Sequence, residues 1–407
     1  MTMLSYASLD WKLIGAALLL SLIGVVLIMS AQHYADTTYQ QQYYQRQLIW
    51  LVIALAVFVT VVHLPLRLFD FITPLFYAVS MLLLILVLFI GTPRMGAMRW
   101  FSFGPVNFAP SDLAKVALIF ILARFFAYTK LSVISTRRLA ASALLTVIPL
   151  GLILKQPDLG TSLVFIVILF AMWFWSGLSP AYMILIISPL LSLVAASHWL
   201  VWSIYITALV IFLLLFKPGF LFGFFTVVAN LAFGIITPFM WGRLADYQKL
   251  RILTFLDPGM DPRGAGYQII QSKIAIGSGG ILGKGLFNGS QTRLDFLPEP
   301  HTDFIFSVLG EEFGLLGALV VLFLFGFIFC RAIRIAVRCR SKFASLLVGG
   351  AASIFLFQFF VNIGMTLGFM PVTGLPLPFV SYGGTSLVLS WSLIGLIVST
   401  DYRWQEY

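Results

Sequence analysis

Met81-Leu-Leu-Leu-Ile-Leu-Val-Leu-Phe-Ile90 is apolar at every position. Strands of an outer-membrane barrel alternate apolar and polar residues, so an unbroken run excludes that fold. The run sits in an apolar stretch near 70–91, and roughly 20 such residues are what a membrane-crossing helix needs. Similar stretches lie near 12–30, 47–65, 112–128, 139–154, 159–177, 180–197, 199–216, 220–241, 303–330, 344–368 and 383–400. The expected fold is therefore all-α and polytopic, with about twelve spans. Residues 1–407 read as one membrane domain without internal repeats, with a large outer loop at 242–302. The first stretch has Lys12 before it and Ser30-Ala31-Gln32 after it, but exceeds a signal-peptide core, so an uncleaved anchor is expected.

Composition agrees. The 407 residues are 60% hydrophobic and only 10% charged, against about 25% charged in a soluble domain. Mean hydropathy is +1.01. A disordered chain would need the opposite balance. The net charge of +10 is topological in such a chain, not a sign of nucleic-acid binding. Lys130, Arg137 and Arg138 mark one connection; Arg331, Arg334, Arg338, Arg340 and Lys342 mark another. With twelve spans and both termini in the cytoplasm, both connections are cytoplasmic and residues 242–302 lie outside. Cys330 and Cys339, with four scattered histidines, form no disulfide framework or metal-ligand pattern.

The acids gather. Eight of the 15 are Asp246, Asp257, Asp261, Asp295, Glu299, Asp303, Glu311 and Glu312, and Asp112 and Asp158 stand at outer ends of spans. A mixed-charge outer face above an apolar body suits a ligand that is anionic at the surface and lipidic below. A solvated loop that merely collects charge is the plainer reading. Lys115 lies one turn inside a span, three residues from Asp112 and on the same helical face. Intramembrane charges are functional candidates, although Lys115 also has the reach to snorkel outward. Arg46 and Arg99 suit phosphate or, beside Trp50 and Trp100, act as interfacial anchors. Asp158 follows Pro157 and is a candidate N-cap. His301 and Asp303 either cap a span or line a cavity, and one of Glu311 and Glu312 is expected to pair within the bundle. Asp257 and Asp261 each precede proline; either is a base candidate or a turn aspartate, and chemistry alone does not separate them. Ser278-Gly-Gly-Ile-Leu-Gly283-Lys284-Gly285 looks like a phosphate loop but lacks the first Gly and the Ser/Thr after Lys.

Four segments carry a family resemblance. They are Gly96-Ala-Met-Arg99-Trp100 with Pro110-Ser111-Asp112-Leu-Ala-Lys115, then Gln156-Pro157-Asp158-Leu-Gly160-Thr161. Next comes Asp261-Pro-Arg-Gly264-Ala-Gly266-Tyr267-Gln268 with Gln271-Ser-Lys273 and His301-Thr-Asp303, and last Pro371 to Gly384. In order and spacing the chain resembles the SEDS family of membrane glycosyltransferases over nearly its whole length. Two departures stand out. Ala109-Pro110-Ser111-Asp112 replaces the family's usual Gln-Pro-Ser-Glu, and an apolar hairpin near 199–241 is extra to the usual ten spans.

The resemblance implies polymerisation of lipid II at the outer face of a bacterial cytoplasmic membrane, for elongation and rod shape. It implies Asp261 as the base, with Arg46, Arg99, Asp112, Lys115, Asp158, Lys273, His301 and Asp303 around the substrate. It also implies a class B penicillin-binding protein and other elongation-complex membrane proteins as partners. No cofactor is required by the pattern; Mg²⁺ or another divalent cation at the pyrophosphate is a chemical expectation. A lipid II flippase or transporter, or a non-catalytic scaffold, is the competing reading.

Overall fold

The structure, a computed structural model, describes residues 9–33, 42–94, 97–103, 106–243, 249–250, 253–255, 257–262, 264, 266–294 and 296–403. Each of the twelve apolar stretches is a helix. In chain order they are α1 (Trp11–Ala31), α2 (Tyr43–His63), α3 (Leu66–Ile90), α4 (Pro110–Tyr128), α5 (Thr136–Leu154) and α6 (Leu159–Trp175). Then follow α7 (Pro180–Ala195), α8 (Trp199–Phe216), α9 (Phe220–Arg243), α11 (Ile305–Arg338), α12 (Lys342–Thr366) and α13 (Gly384–Tyr402). Among the described residues, nine of these are long and apolar enough to cross a membrane. Of the other three, α6 and α7 are shorter, with 17 and 16 residues. The third, α4, carries Asp112, Lys115 and Arg124.

Two elements depart from the sequence reading. The outer loop contains a helix, α10 (Tyr267–Gly279), whose buried residues Ile269, Ser272, Ala275 and Gly279 recur at helical spacing. A small antiparallel sheet, which the all-helical expectation omits, joins α3 to α4. Its strands are β1 (Thr92–Arg94), β2 (Ala97–Phe103) and β3 (Val106–Phe108), in the order β1-β2-β3. Trp100 pairs with Thr92, and Phe101 with Phe108. Aromatic and β-branched residues favour this pleated surface, and the segment is too short to announce itself by hydropathy.

The chain forms two compact units, Met1–Ser176 with Gly266–Tyr407, and Gly177–Ala265. In the first, α12 and α13 are central: 72% and 67% of their most apolar stretches are buried. Close approach is carried by small residues. A β-carbon at Gly349 would sit 2.4 Å from the Trp175 ring, and one at Gly350 would sit 2.6 Å from Ile119. At one end Asp10 caps α1 through Leu13 N–H and pairs with Arg331 at 2.6 Å. Arg124 pairs with Asp70 at 3.2 Å, and Tyr128 also donates to Asp70.

In the second unit, a polar knot joins α7, α8 and α9. Asn230 donates to Ser188 Oγ at 2.7 Å and accepts from Tyr205 at 2.9 Å, while Trp202 donates to Ser192 Oγ at 2.9 Å. Such bonds hold helices together where lipid supplies no hydrophobic drive. The outer faces are apolar, as lipid contact demands: Ile204, Leu215 and Phe225 are exposed.

One helix of the first unit is broken. Gly314 in α11 has φ 61° and ψ −159°, so Ile305–Arg338 is two helices that meet at a kink. A break exposes carbonyls on one side and amides on the other. The glycine-rich chain after α10 satisfies both. Lys284 and Gly285 N–H donate to the Glu311 and Glu312 carbonyls at 3.0 and 2.9 Å. Leu315 and Leu316 N–H donate to the Gly280 and Ile281 carbonyls at 2.9 and 3.1 Å. At Gly314 itself the irregular backbone is buried in protein, as such a place requires.

Candidate functional site

The strand β2 presents Arg99 to the turn before α6. Arg99 Nε donates to the Gln156 carbonyl at 3.1 Å, and its Nη2 donates to the Pro157 carbonyl. Its Nε lies 3.9 Å from Asp158 Oδ2. Asp158 in turn accepts from Thr161 N–H at 3.1 Å and from Thr161 Oγ1 at 2.9 Å. It is thus the N-cap of α6, and the Arg99 fork clamps the turn that presents it.

Asp112 and Lys115 meet on α4. Pro110 opens the helix and Asp112 occupies its first turn, where a carboxylate suits the helix dipole. Lys115 Nζ is 2.8 Å from Asp112 Oδ1. Lys115 is 3% exposed, so it does not snorkel. Asp112 edges a cavity of about 230 Å³ that is otherwise almost wholly apolar, lined by Val61, Phe69, Phe120, Leu389 and others.

His301 and Asp303 lie just before α11, against the segment from Pro371 to Gly384. Tyr382 N–H donates to the His301 carbonyl at 2.9 Å, and Ser381 Oγ donates to the Thr302 carbonyl at 2.6 Å. Asn362 donates to the Asp303 and Leu375 carbonyls at 3.1 and 2.9 Å. Gln47 donates to the Ser381 carbonyl at 3.2 Å. The His301 Nδ1 faces Gln32 Nε2 at 2.8 Å, and its ring lies 4.9 Å from that of Tyr43. Gln32, Gln47, Asn362 and Ser381 are buried. Ser381 belongs to the Pro371–Gly384 motif, but Gln47 and Asn362 gave no signal, because single uncharged polar residues inside apolar stretches carry no spacing pattern.

Burial lowers the His301 pKa from 6.5 to about 4. Burial, and then the neighbouring Glu299 charge, raise that of Asp303 from 3.8 to about 6, against a hydrogen bond from Thr302. The stability signs are opposite. The unfolded chain holds the His301 proton between about pH 4 and 6.5, so this group makes stability rise with pH there. The folded chain holds the Asp303 proton between about pH 3.8 and 6, so this group makes stability fall as pH rises through that window. The two slopes oppose in the wild type. Relative to wild type, Asp303→Asn is expected to tilt the melting temperature upward with pH between about 4 and 6, and His301→Gln to tilt it downward between about 4 and 6.5. Melting curves across that range check both.

Arg46 is half-buried in the first turn of α2. Lys273 is exposed on α10 and its chain crosses Gly368, where a β-carbon would meet Lys273 Cε at 2.4 Å. Gly368 also has φ +78°, so only glycine serves there.

Asp261 belongs to the other unit and is described within it. Its Oδ1 accepts from Gly264 N–H at 3.0 Å. A β-carbon on Gly264 would approach Asp261 Oδ2 to 2.2 Å, so glycine allows the carboxylate to lie over the turn. Asp257 makes a similar bond, to Gly259 N–H at 3.0 Å, but is exposed whereas Asp261 is half-buried. Both are turn aspartates, and their own geometry does not rank them. Asp246, Asp295, Arg251 and Arg263 lie outside the described residues, as does the Arg94 side chain. Among the described residues, no group of three or more His, Cys, Asp or Glu side chains could hold a metal ion. An ion shared between one or two carboxylates and the substrate pyrophosphate needs no such group.

Comparison with known proteins places the chain. The family model described as Cell cycle protein (FTSW_RODA_SPOVE) matches residues 10–214 and 200–406. The chain is 36% identical to "Peptidoglycan glycosyltransferase MrdB" of Escherichia coli (strain K12), over 87% of this chain and 84% of that one. It is 32% identical to "Peptidoglycan glycosyltransferase RodA" of Treponema pallidum (strain Nichols), over 97% and 98%. A solved structure described as "Structural coordination of polymerization and crosslinking by a peptidoglycan synthase complex" shares 31% identity at a TM-score of 0.75, covering 98% of this chain and 99% of that one. The Thermus thermophilus rod shape determining protein RodA shares 27% identity at a TM-score of 0.65, covering 99% of each chain. The resemblance carried by the four motifs and the helix-by-helix fold thus converge: the chain belongs to the FtsW/RodA/SpoVE family of multi-pass membrane proteins, the SEDS family.

Proposed function

We propose that this chain is a peptidoglycan glycosyltransferase that polymerises lipid II at the outer membrane face, in the elongation branch of the family. The observation that carries the reading is a match along nearly the whole chain to relatives named for that activity. In the step proposed, a sugar hydroxyl oxygen of one precursor attacks the anomeric carbon of the other. The anomeric C–O bond to phosphate breaks, and its electron pair leaves with undecaprenyl pyrophosphate. The hydroxyl proton passes to the Asp261 carboxylate. Fixed cations offset the leaving charge, with Arg46 and Lys273 the candidates. Asp112 is the more open member of its pair and meets the substrate, while Lys115 holds it. Arg99 and Asp158 shape the wall; His301 and Asp303 brace the loop before α11. Purified protein with lipid II should yield glycan strands on a gel. Transbilayer movement of lipid II without polymer would instead support a flippase. The partner proposed is a class B penicillin-binding protein, in line with the synthase-complex neighbour.

The orientation proposed has both termini in the cytoplasm of a bacterial cell. Lys130, Arg137 and Arg138, and the basic residues from Arg331 to Lys342, support it, and the Asp10–Arg331 pair ties the second group to the start of α1. In intact spheroplasts of a cysteine-free background, Asn288→Cys is expected to react with a membrane-impermeant maleimide and Ser132→Cys is not. The reverse pattern would invert the topology.

A further inference from the structure

The backbone weld at Gly314 brings together an unusual set of oxygens. Glu311 Oε1 accepts from Lys284 Nζ at 2.7 Å, Ser290 Oγ at 2.9 Å and Gln291 N–H at 3.1 Å. Its other oxygen, Oε2, is buried and has no hydrogen-bond partner. Glu312 Oε1 accepts from Ser30 Oγ at 2.5 Å, and its Oε2 is likewise buried and unpartnered. So is Thr292 Oγ1. Three of these oxygens converge on one point. An atom in the β-carbon position of Gly289 would lie 3.0 Å from Glu311 Oε2, 3.2 Å from Thr292 Oγ1 and 3.4 Å from Glu312 Oε1. That point is one bond length from the Gly289 α-carbon, so the three oxygens crowd the bare face of the glycine.

The charges do not balance. Glu311 and Glu312 are 0% and 1% exposed. Lys284 answers Glu311, and among the described residues Glu312 makes no ion pair. An uncompensated buried carboxylate is strongly disfavoured. The donors around the point are all oxygen, the preference of hard cations. With both carboxylates ionised, the pair is one positive charge short. We propose that Glu311 Oε2, Glu312 Oε1 and Thr292 Oγ1 bind a hard monovalent cation, sodium, beside Gly289, which locks the 287–293 segment onto the first half of α11. The site is independent of the glycosyl-transfer reading.

The test is thermal unfolding of the purified full chain in detergent, at constant ionic strength, with sodium chloride exchanged for choline chloride. Sodium is expected to raise the melting temperature saturably, on the order of a few degrees. Glu312→Gln keeps the shape and removes the charge. It should melt above wild type in choline and no longer respond to sodium. Gly289→Ala places a methyl group at the point and should also abolish the response. Thr292→Val, nearly isosteric, should raise the sodium midpoint by roughly tenfold or more. A full sodium response in Glu312→Gln and Thr292→Val would overturn the site. A rise with magnesium but none with sodium would overturn the monovalent assignment. So would melting that ignores every cation but falls with rising pH until Glu312→Gln removes the dependence, because that is a proton in the cation's place.

Discussion

Asp261→Asn is expected to abolish glycan polymerisation in a protein that still folds. The side-chain oxygen that accepts from Gly264 N–H at 3.0 Å has a counterpart in asparagine, so the turn survives. What disappears is the ability to take a proton. A positioned general base contributes on the order of 10²–10⁴ in rate, and the loss should reach that size in kcat with little change in KM. Asp257→Asn is the control. It sits in an equivalent turn, on Gly259 N–H at 3.0 Å, and should stay within a few-fold of wild type (about 0.5 kcal/mol). If the two variants are equally active, the base lies elsewhere. If Asp257→Asn is the dead one, the assignment passes to Asp257. Gel analysis of polymer from purified enzyme and lipid II separates these results.

The second large effect is on stability. Lys115→Met removes the only ion-pair partner of Asp112 among the described residues, at a pair distance of 2.8 Å. Leaving one member of a buried pair uncompensated costs on the order of 3–5 kcal/mol. Thermal unfolding should therefore show a fall of many degrees. Replacing the pair together, as Lys115→Met with Asp112→Leu, matches apolar volume to an apolar surrounding and should restore most of that stability. Activity should not return with it, because Asp112 at the edge of its cavity is proposed to meet the substrate. A double variant that regains both stability and polymerisation would reduce the pair to a structural role. One that regains neither would place its importance in the packing of α4.

The sequence made the helices legible because lipid imposes a simple rule: a span must be long and apolar, and of the twelve stretches read by it nine meet it in full among the described residues. The β1–β3 sheet was not legible, since its residues are neither long enough nor alternating cleanly enough to stand out beside spans. The break at Gly314 was hidden for a related reason. Leu315 to Cys330 continues the apolar run of Ile305–Leu309, and only φ 61° at Gly314 betrays the interruption. Among site residues, charged ones were found because charge is rare here. Their partners were less predictable. Lys115 folds back to Asp112 rather than snorkelling, and Arg99 turns to the carbonyls of Gln156 and Pro157. The Arg99 contact joins chain segments 57 residues apart, which no local pattern encodes, whereas Lys115 and Asp112 share one helical turn and their spacing was visible in the sequence. One of Glu311 and Glu312 was expected to pair within the bundle; it is Glu311, and its partner, Lys284, lies in the segment that looked like a phosphate loop.

Arg403, at the end of α13, reaches the far side of the chain. Its guanidinium donates to the carbonyls of Val62, His63 and Leu64 at the end of α2, and to Ser399 Oγ at 3.2 Å. Along α2, Gly384 lies so close to Trp50 that a β-carbon would be 2.2 Å from its ring. Synthesis therefore delivers α2 early and its principal neighbour some 340 residues later. Until then the face of α2 that carries Gln47, Leu51, Ala54 and Phe58 has lipid or a chaperone for company. Packing around α2 is completed only when α13 is made, and a ribosome stalled before residue 384 would leave that face of α2 still open.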